Sequence, residues 1–539
     1  MDKFIVLLLV GYVTANTQPG LRQNRLGTEV PSLGDTSPGS VWPQPQSQTS
    51  TSQTYPVLAE KFAFTYTSSS FRCSLLDEAF KRYQMLIMNA AARSKLHFRP
   101  RAPYTITTLD INLMAKCEDY PSLDMNEAYS LDVGESSTQL QAESVWGILR
   151  GLETFSQLLW QTETGEILAN KTNIIDHPRY SHRGILLDTS RHYLPLSVIF
   201  DNLEAMAYNK INVFHWHIVD DQSFPYVSEI YPDLSRKGAY TSLSHIYTPD
   251  DVAAVIEFAR LRGIRVVPEF DTPGHSQSWG KGQPGLLTPC YSGDKPTGSY
   301  GPINPIVDST YTFIQTLFTE LRNVFPDKYI HLGGDEVSFA CWQSNPDINN
   351  YMKNLNITGK YNELEQIYVQ KVLNISGQIG FSYIVWQEVV DNQVQLKDDT
   401  VVEVWINNHP DEELAKVTKL GYRALLAAPW YLDYISTGED WMKYYLEEPS
   451  NFNGTDAQKK LLIGGEACLW GEYVDGSNVT PRLWPRASAV AERLWSSKDV
   501  NDVTKATPRL HQHRCRMVKR GISAQPLHPG YCVHDWGNI

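Results

Sequence analysis

From about residue 176 onward, short apolar runs alternate with longer amphipathic stretches. The runs are Gly184–Asp188, Ile211–His217, Ile264–Phe270, Tyr329–Leu332, Tyr383–Trp386, Val401–Trp405, Ala424–Ala427 and Leu461–Gly464. Each has strand length and is bounded by turn residues. Helically spaced apolar positions follow most of them, at Pro195–Tyr208, Thr248–Leu261, Thr310–Phe325, Asn362–Ile379, Asp411–Leu420 and Pro485–Trp495. Eight buried strands alternating with helices predict an α/β fold, a (β/α)8 TIM barrel, with an open doubly wound sheet as the competing architecture. The rhythm before it differs. Strand patterns at Phe62–Thr67 and Thr105–Leu113 mix with amphipathic helices at Ser74–Met88 and Ser144–Leu159, which predicts a small α+β domain. Residues 16–55 are rich in Gln, Ser, Thr, Pro and Gly and read as a disordered leader, with Val41-Trp42-Pro43 as a first ordered edge. The organisation expected is a disordered leader at 16–40, an α+β domain at 41–175, and a barrel domain at 176–539 closed by a C-terminal helix.

Residues 1–15, MDKFIVLLLVGYVTA, have the short basic start, apolar centre and small-residue end of a secretory signal peptide. No later stretch has the uninterrupted apolar length of a membrane span. With 47 basic and 60 acidic residues, a net charge of −13 argues against a nucleic-acid partner. Secretion changes how the seven cysteines read. Sequence leaves connectivity open, but Cys73–Cys117, Cys290–Cys341 and Cys515–Cys532 close plausible local loops, and Cys468 falls in an apolar run as a buried free thiol. Asn170, Asn356, Asn374, Asn453 and Asn478 stand in glycosylation sequons.

Charged and aromatic residues gather at or just after the ends of the eight runs: Asp188 with Arg191, Asp220, Glu269 with His275, Asp335 with Glu336, Trp386, Trp405, Trp430 with Tyr431, and Trp470 with Glu472. In a barrel these ends share one face, where active sites are built. The segment His331-Leu332-Gly333-Gly334-Asp335-Glu336 is the most specific: a strand, two glycines that let backbone approach a ligand, then adjacent carboxylates. Neighbouring side chains point apart, so the pair suits two tasks on one substrate better than opposed attack across a sugar ring. His215-Trp216-His217, with Asp220 and His275, invites a metal reading; histidines hydrogen-bonded inside the barrel are the plainer one.

The stretches HRG…DTSRH (182–192), HWHIVDDQSFP, EFDTPGHSQSW, HLGGDEV, IVWQEV, APWYLD and GGEACLWGE together resemble family 20 β-N-acetylhexosaminidases, most nearly the animal lysosomal subunits, from about Trp42 to Cys532. The resemblance implies exo-hydrolysis of terminal β-linked GlcNAc or GalNAc, with retention through an oxazolinium formed by the substrate's own acetamido group. Glu336 matches the general acid and Asp335 the residue that orients and stabilises the acetamido group. Tyr431 matches its hydroxyl partner, and Trp386, Trp405 and Trp470 its aromatic box. Arg191, Asp433 and Glu472 match the grip on the outer hydroxyls, and Asp220 and His275 a network supporting the acid. No metal and no cofactor are implied. Partners implied are an oligosaccharide, glycoprotein or glycolipid substrate and a second copy of the chain in a homodimer; the destination implied is lysosomal or secreted. Asp433 resembles the vertebrate β-type subunit, whereas Tyr434 matches neither type. The loop Gly293-Asp294-Lys295-Pro296 is similar to an α-type loop that is acidic where Lys295 stands, and Thr437 replaces a vertebrate tyrosine that reaches the partner subunit's site.

Overall fold

A computed structural model describes residues 38–91, 104–162, 165–434, 436 and 439–532. The signal peptide at 1–15, most of the leader and Thr437 lie outside the described residues. Two hydrophobic cores organise the chain, one under the N-terminal sheet and a larger one between the barrel strands and their outer helices.

The N-terminal domain is a mixed sheet in the order Ser47–Pro56, Ile167–Asp176, Tyr129–Val133, Thr138–Ala142, Thr108–Leu113 and Ala63–Tyr66, with Trp160–Gln161 paired to Ile167–Asp176. Its inner strands bury alternate residues, the signature of a sheet covered on one face. The helices Ser74–Ala91 and Val145–Leu158 belong to this domain. Ser144 caps the second by accepting hydrogen bonds from the Trp146 and Gly147 amides. All fourteen residues of that helix are buried, and Arg150 reaches out to the carbonyls of Arg262 (3.1 Å) and Gly263 (2.7 Å) in the barrel domain. One expectation is corrected. The Gln/Ser/Thr-rich stretch read as leader up to residue 55 contains a strand, Ser47–Pro56, held by its antiparallel ladder to Ile167–Asp176.

The eight predicted strands close a parallel barrel. They are His182–Asp188, Val213–His217, Arg265–Glu269, Tyr329–His331, Ser382–Trp386, Val401–Val404, Arg423–Leu426 and Leu462–Leu469. The last is longer than the sequence pattern indicates and ends beside Trp470. Gly464 does not terminate it: a Cβ there would lie 1.7 Å from the His182 carbonyl, so the glycine lets the eighth strand close on the first. The C-terminal helix, Val503–Lys519, follows the last barrel helix, Arg486–Trp495. Cys73–Cys117, Cys290–Cys341 and Cys515–Cys532 are joined, and Cys468 is buried and free. Among the described residues no helix is long and apolar enough to cross a membrane.

At the N-terminal end of the barrel, the two domains share a buried charge network. Glu127 accepts from Arg183 (2.6 and 2.8 Å), Arg150 (2.8 Å) and Asn212 (3.1 Å). Burial alone would raise its pKa, but the two guanidiniums hold it below the usual carboxylate range. Beside it Lys210 donates to Asp176 (2.9 Å) and to the Tyr129 hydroxyl (3.0 Å).

Candidate active site

The polar ends of the strands meet at the C-terminal mouth of the barrel, over a core that is itself charged. Glu466 receives hydrogen bonds from His182 (2.6 Å) and His215 (2.8 Å). His215 also reaches Glu269 (3.1 Å), which takes a second imidazole from His217 (2.5 Å) and the indole N–H of Trp386 (2.9 Å). His217 in turn donates to Asp220 (2.8 Å). Both ring nitrogens of His215 and of His217 therefore face carboxylates. Burial would lower their pKa values, but Glu466 and Glu269 push His215 up to about 10, and Glu269 and Asp220 raise His217 as well. Each of these four nitrogens thus has a carboxylate partner within the barrel, the hydrogen-bonded arrangement expected of packed strand histidines.

Asp220 links this core to the mouth. It lies 3.1 Å from Arg191 and 3.4 Å from His275 Nδ1. Burial would raise its pKa, but His217, His275 and Arg191 hold it far below the carboxylate range. His275 stands on the loop after the third strand with a left-handed φ of 49°. Its Nε2 is 3.7 Å from an oxygen of Asp335 and 3.7 Å from one of Glu336. Burial would lower its pKa, but Asp220, Asp271 and Asp335 push it up to about 11, so it is a fixed cation between the two carboxylates.

The turn carrying those carboxylates depends on its glycines. Gly333 has φ +64°, and a Cβ there would lie 1.8 Å from Asp271 Oδ1, which accepts the Gly334 amide at 2.7 Å. Only glycine fits that close approach. Asp335 is buried (8% exposed), with Oδ1 lacking a hydrogen-bond partner, whereas the Glu336 side chain is 61% exposed. The adjacent acids thus differ in environment, one inside the pocket and one at its lip.

Four aromatic side chains form a box beside them. Trp386 meets Trp405 edge-on (centroids 6.4 Å apart) and Trp470 at 6.1 Å; Tyr431 stacks on Trp405 at 6.0 Å and lies 6.4 Å from Trp470. The Trp386 amide donates to the Gly333 carbonyl at 3.1 Å, which ties the box to the turn that carries Asp335. Arg191 lies over the Trp470 ring (5.0 Å) and pairs with Asp188 (2.9 Å) and Glu472 (3.4 Å). Asp433 Oδ1 is buried without a partner, and burial, reinforced by Glu472, pushes its carboxyl up to about 6. Every residue singled out for catalysis or sugar binding thus lies around this mouth. Tyr434 is exposed and packs on Tyr431 (6.1 Å), and Gly293 and Asp294 form the tip of an exposed hairpin.

Three acids and an amide that the motif reading gave no task also belong here: Glu269, Asp271, Gln387 and Glu388. Their signal was position, since each adjoins a strand end or a named residue.

The barrel region, residues 180–498, matches the glycosyl hydrolase family 20 catalytic domain, and residues 41–158 match a beta-acetyl hexosaminidase-like domain. The chain is 53% identical to the human beta-hexosaminidase subunit beta over 94% of its length and 92% of the relative's. It is 52% identical to the Bos taurus subunit alpha, covering 92% of this chain and 95% of that one. Among solved structures, an exo beta-N-acetylglucosaminidase from Vibrio harveyi in complex with N-acetylglucosamine superposes with a TM-score of 0.75 at 26% identity, covering 91% of this chain and 79% of that one. The chain belongs to glycosyl hydrolase family 20 and is an exo-acting β-N-acetylhexosaminidase.

Proposed function

We propose that this mouth hydrolyses terminal β-linked GlcNAc or GalNAc of glycoconjugates by substrate-assisted retention, with the work divided as follows. The 2-acetamido oxygen attacks C1 while the bond from C1 to the leaving oxygen breaks, and Glu336, at the exposed lip, gives that oxygen its proton. Asp335, inside the pocket with a free oxygen, accepts the acetamido N–H and stabilises the positive charge of the oxazolinium. Glu336 then takes a proton from water, which adds to C1 on the face the leaving group vacated as the bond from C1 to the acetamido oxygen breaks and the neutral acetamido group is restored. His275 holds both carboxylates in place, and Asp220 holds His275. Tyr431 donates its hydroxyl to the acetamido oxygen inside the box of Trp386, Trp405 and Trp470. Arg191, Asp433 and Glu472 take the outer hydroxyls and close the end of the pocket, which restricts cleavage to terminal residues.

The observation that carries this reading is the position of His275 Nε2, 3.7 Å from each of two adjacent acids of opposite exposure. Cleavage of an aryl β-GlcNAc followed by NMR tests it. The first-formed sugar is expected to be the β-anomer, the matching glucoside without the acetamido group is expected to be inert, and EDTA is expected to leave the rate unchanged. An α-anomer, or turnover of the glucoside, would overturn the mechanism.

A homodimer and a lysosomal or secreted destination belong to the same reading. The three disulfides support an oxidising compartment. Asn356, Asn374 and Asn453 are exposed, as glycan acceptors require, whereas the Asn170 and Asn478 amides donate to the carbonyls of Thr51 (2.9 Å) and Tyr473 (3.0 Å).

A further inference from the structure

Trp405 lies beyond the sixth strand, yet what fixes it comes from the fifth. Gln387 is buried, and its Oε1 accepts the backbone amides of Trp405 (3.2 Å) and Ile406 (3.0 Å). The Glu388 carboxyl accepts the Trp405 indole N–H, with its oxygens 2.9 and 3.2 Å away. An indole has a single donor, so this contact sets the rotation of the ring about its side-chain bond. Gln387 holds the main chain and Glu388 holds the ring. The ring so fixed stacks on Tyr431 at an interplanar angle of 23° and meets Trp386 at 67°. Burial and the neighbouring Asp335 charge push the Glu388 carboxyl up to about 8, so in acid it is neutral and still accepts from the indole.

We propose that Glu388 is a positioning residue that locks the Trp405 wall of the box and thereby limits the size of the 2-acyl group the enzyme accepts. The proposal rests on the reading of Trp386, Trp405 and Trp470 as the acetamido box. A ring whose rotation is set by its one N–H swings outward when the acceptor is removed, which costs the acetamido fit and makes room for a longer acyl chain.

The test compares kcat/KM for aryl glycosides of N-acetyl-, N-propionyl- and N-butanoyl-glucosamine in the full-length wild-type enzyme and in variants, with melting temperature recorded. Glu388→Gln keeps an acceptor and is expected to stay within about threefold of wild type on all three. Glu388→Ala is expected to lose about tenfold on the N-acetyl substrate and much less on the N-butanoyl one, so the selectivity ratio falls. Glu388→Met, which keeps the volume and lacks the acceptor, serves if the alanine variant does not fold. Trp405→Phe removes the same donor, and adding Glu388→Ala to it is expected to change the ratio little. An unchanged ratio in both Glu388→Ala and Glu388→Met, with a lowered ratio in Trp405→Phe, would overturn the role of Glu388 and leave the box standing. An unchanged ratio in Trp405→Ala would overturn the box reading and the proposal with it.

Discussion

Glu127 and Asp335 are both buried carboxylates, at opposite ends of one barrel. Glu127, 2% exposed, has both oxygens taken by two arginines and an asparagine, and these tie the N-terminal domain to the barrel floor. Asp335, 8% exposed, keeps one oxygen without a partner, and its nearest cation, His275, stands off at 3.7 Å. Leaving a buried polar atom unpaired costs about 1–3 kcal/mol, which a hydrogen bond from a bound substrate would recover at the mouth. The floor spends its charges on cohesion, while the mouth keeps them open for a ligand. The same division separates Lys210, bonded to Asp176 and Tyr129, from Asp433, whose Oδ1 is bare.

Substitutions at the two ends should therefore fail in different ways. The largest effect is expected at the mouth. Glu336→Gln should lower kcat about 10²–10⁴-fold on substrates with poor leaving groups, less on activated aryl glycosides, and leave the melting temperature unchanged. Equal, small losses on both substrate types would place the acid elsewhere. Glu127→Ala should do the reverse. It strands Arg150 and Arg183 in the interior and should destabilise the fold by about 3–5 kcal/mol, read from denaturant unfolding, with kcat per folded molecule unchanged. A selective loss of kcat at constant stability would erase the distinction between the ends.

A smaller effect sharpens the comparison through pH. With the Asp433 carboxyl pushed up to about 6, the group is neutral below that pH and an anion above it. A 6-sulfate near it meets a like charge only in the anionic form. Two unit charges ~4 Å apart at an effective dielectric of 20 interact by about 4 kcal/mol before screening, so even a fraction of that gives roughly tenfold discrimination. The kcat/KM ratio of GlcNAc to 6-sulfo-GlcNAc substrates should rise as pH increases through about 6, and Asp433→Asn should flatten it. A ratio independent of pH in the wild type would mean that Asp433 does not stand beside the 6-position.

Much of this was legible in the sequence because barrel strands are buried on both faces and read as continuous apolar runs. The HLGGDE segment was legible for a related reason, since a Gly-Gly step before two acids has few bland explanations. Three features were not. Ser47–Pro56 is exposed along most of its length, so it has no apolar face to announce it; its backbone ladder alone makes it a strand. The eighth strand looked short because Gly464 resembles a terminator, when its task is close contact with the first strand. The hydrogen bonds of Glu269, Asp271 and Glu388 pass between neighbouring strands to residues far away in sequence, which local pattern cannot pair with them.

The central claim is that two neighbouring acids do separate jobs, with Asp335 reserved for charge that exists only once the oxazolinium forms. Calorimetric binding of a thiazoline mimic of that intermediate to the wild type, Asp335→Asn and Glu336→Gln tests it most directly. Asp335→Asn should weaken binding about 10²-fold or more, while Glu336→Gln, which removes the acid and leaves the acetamido partner, should weaken it far less. Equal affinity for the wild type and Asp335→Asn would contradict the account.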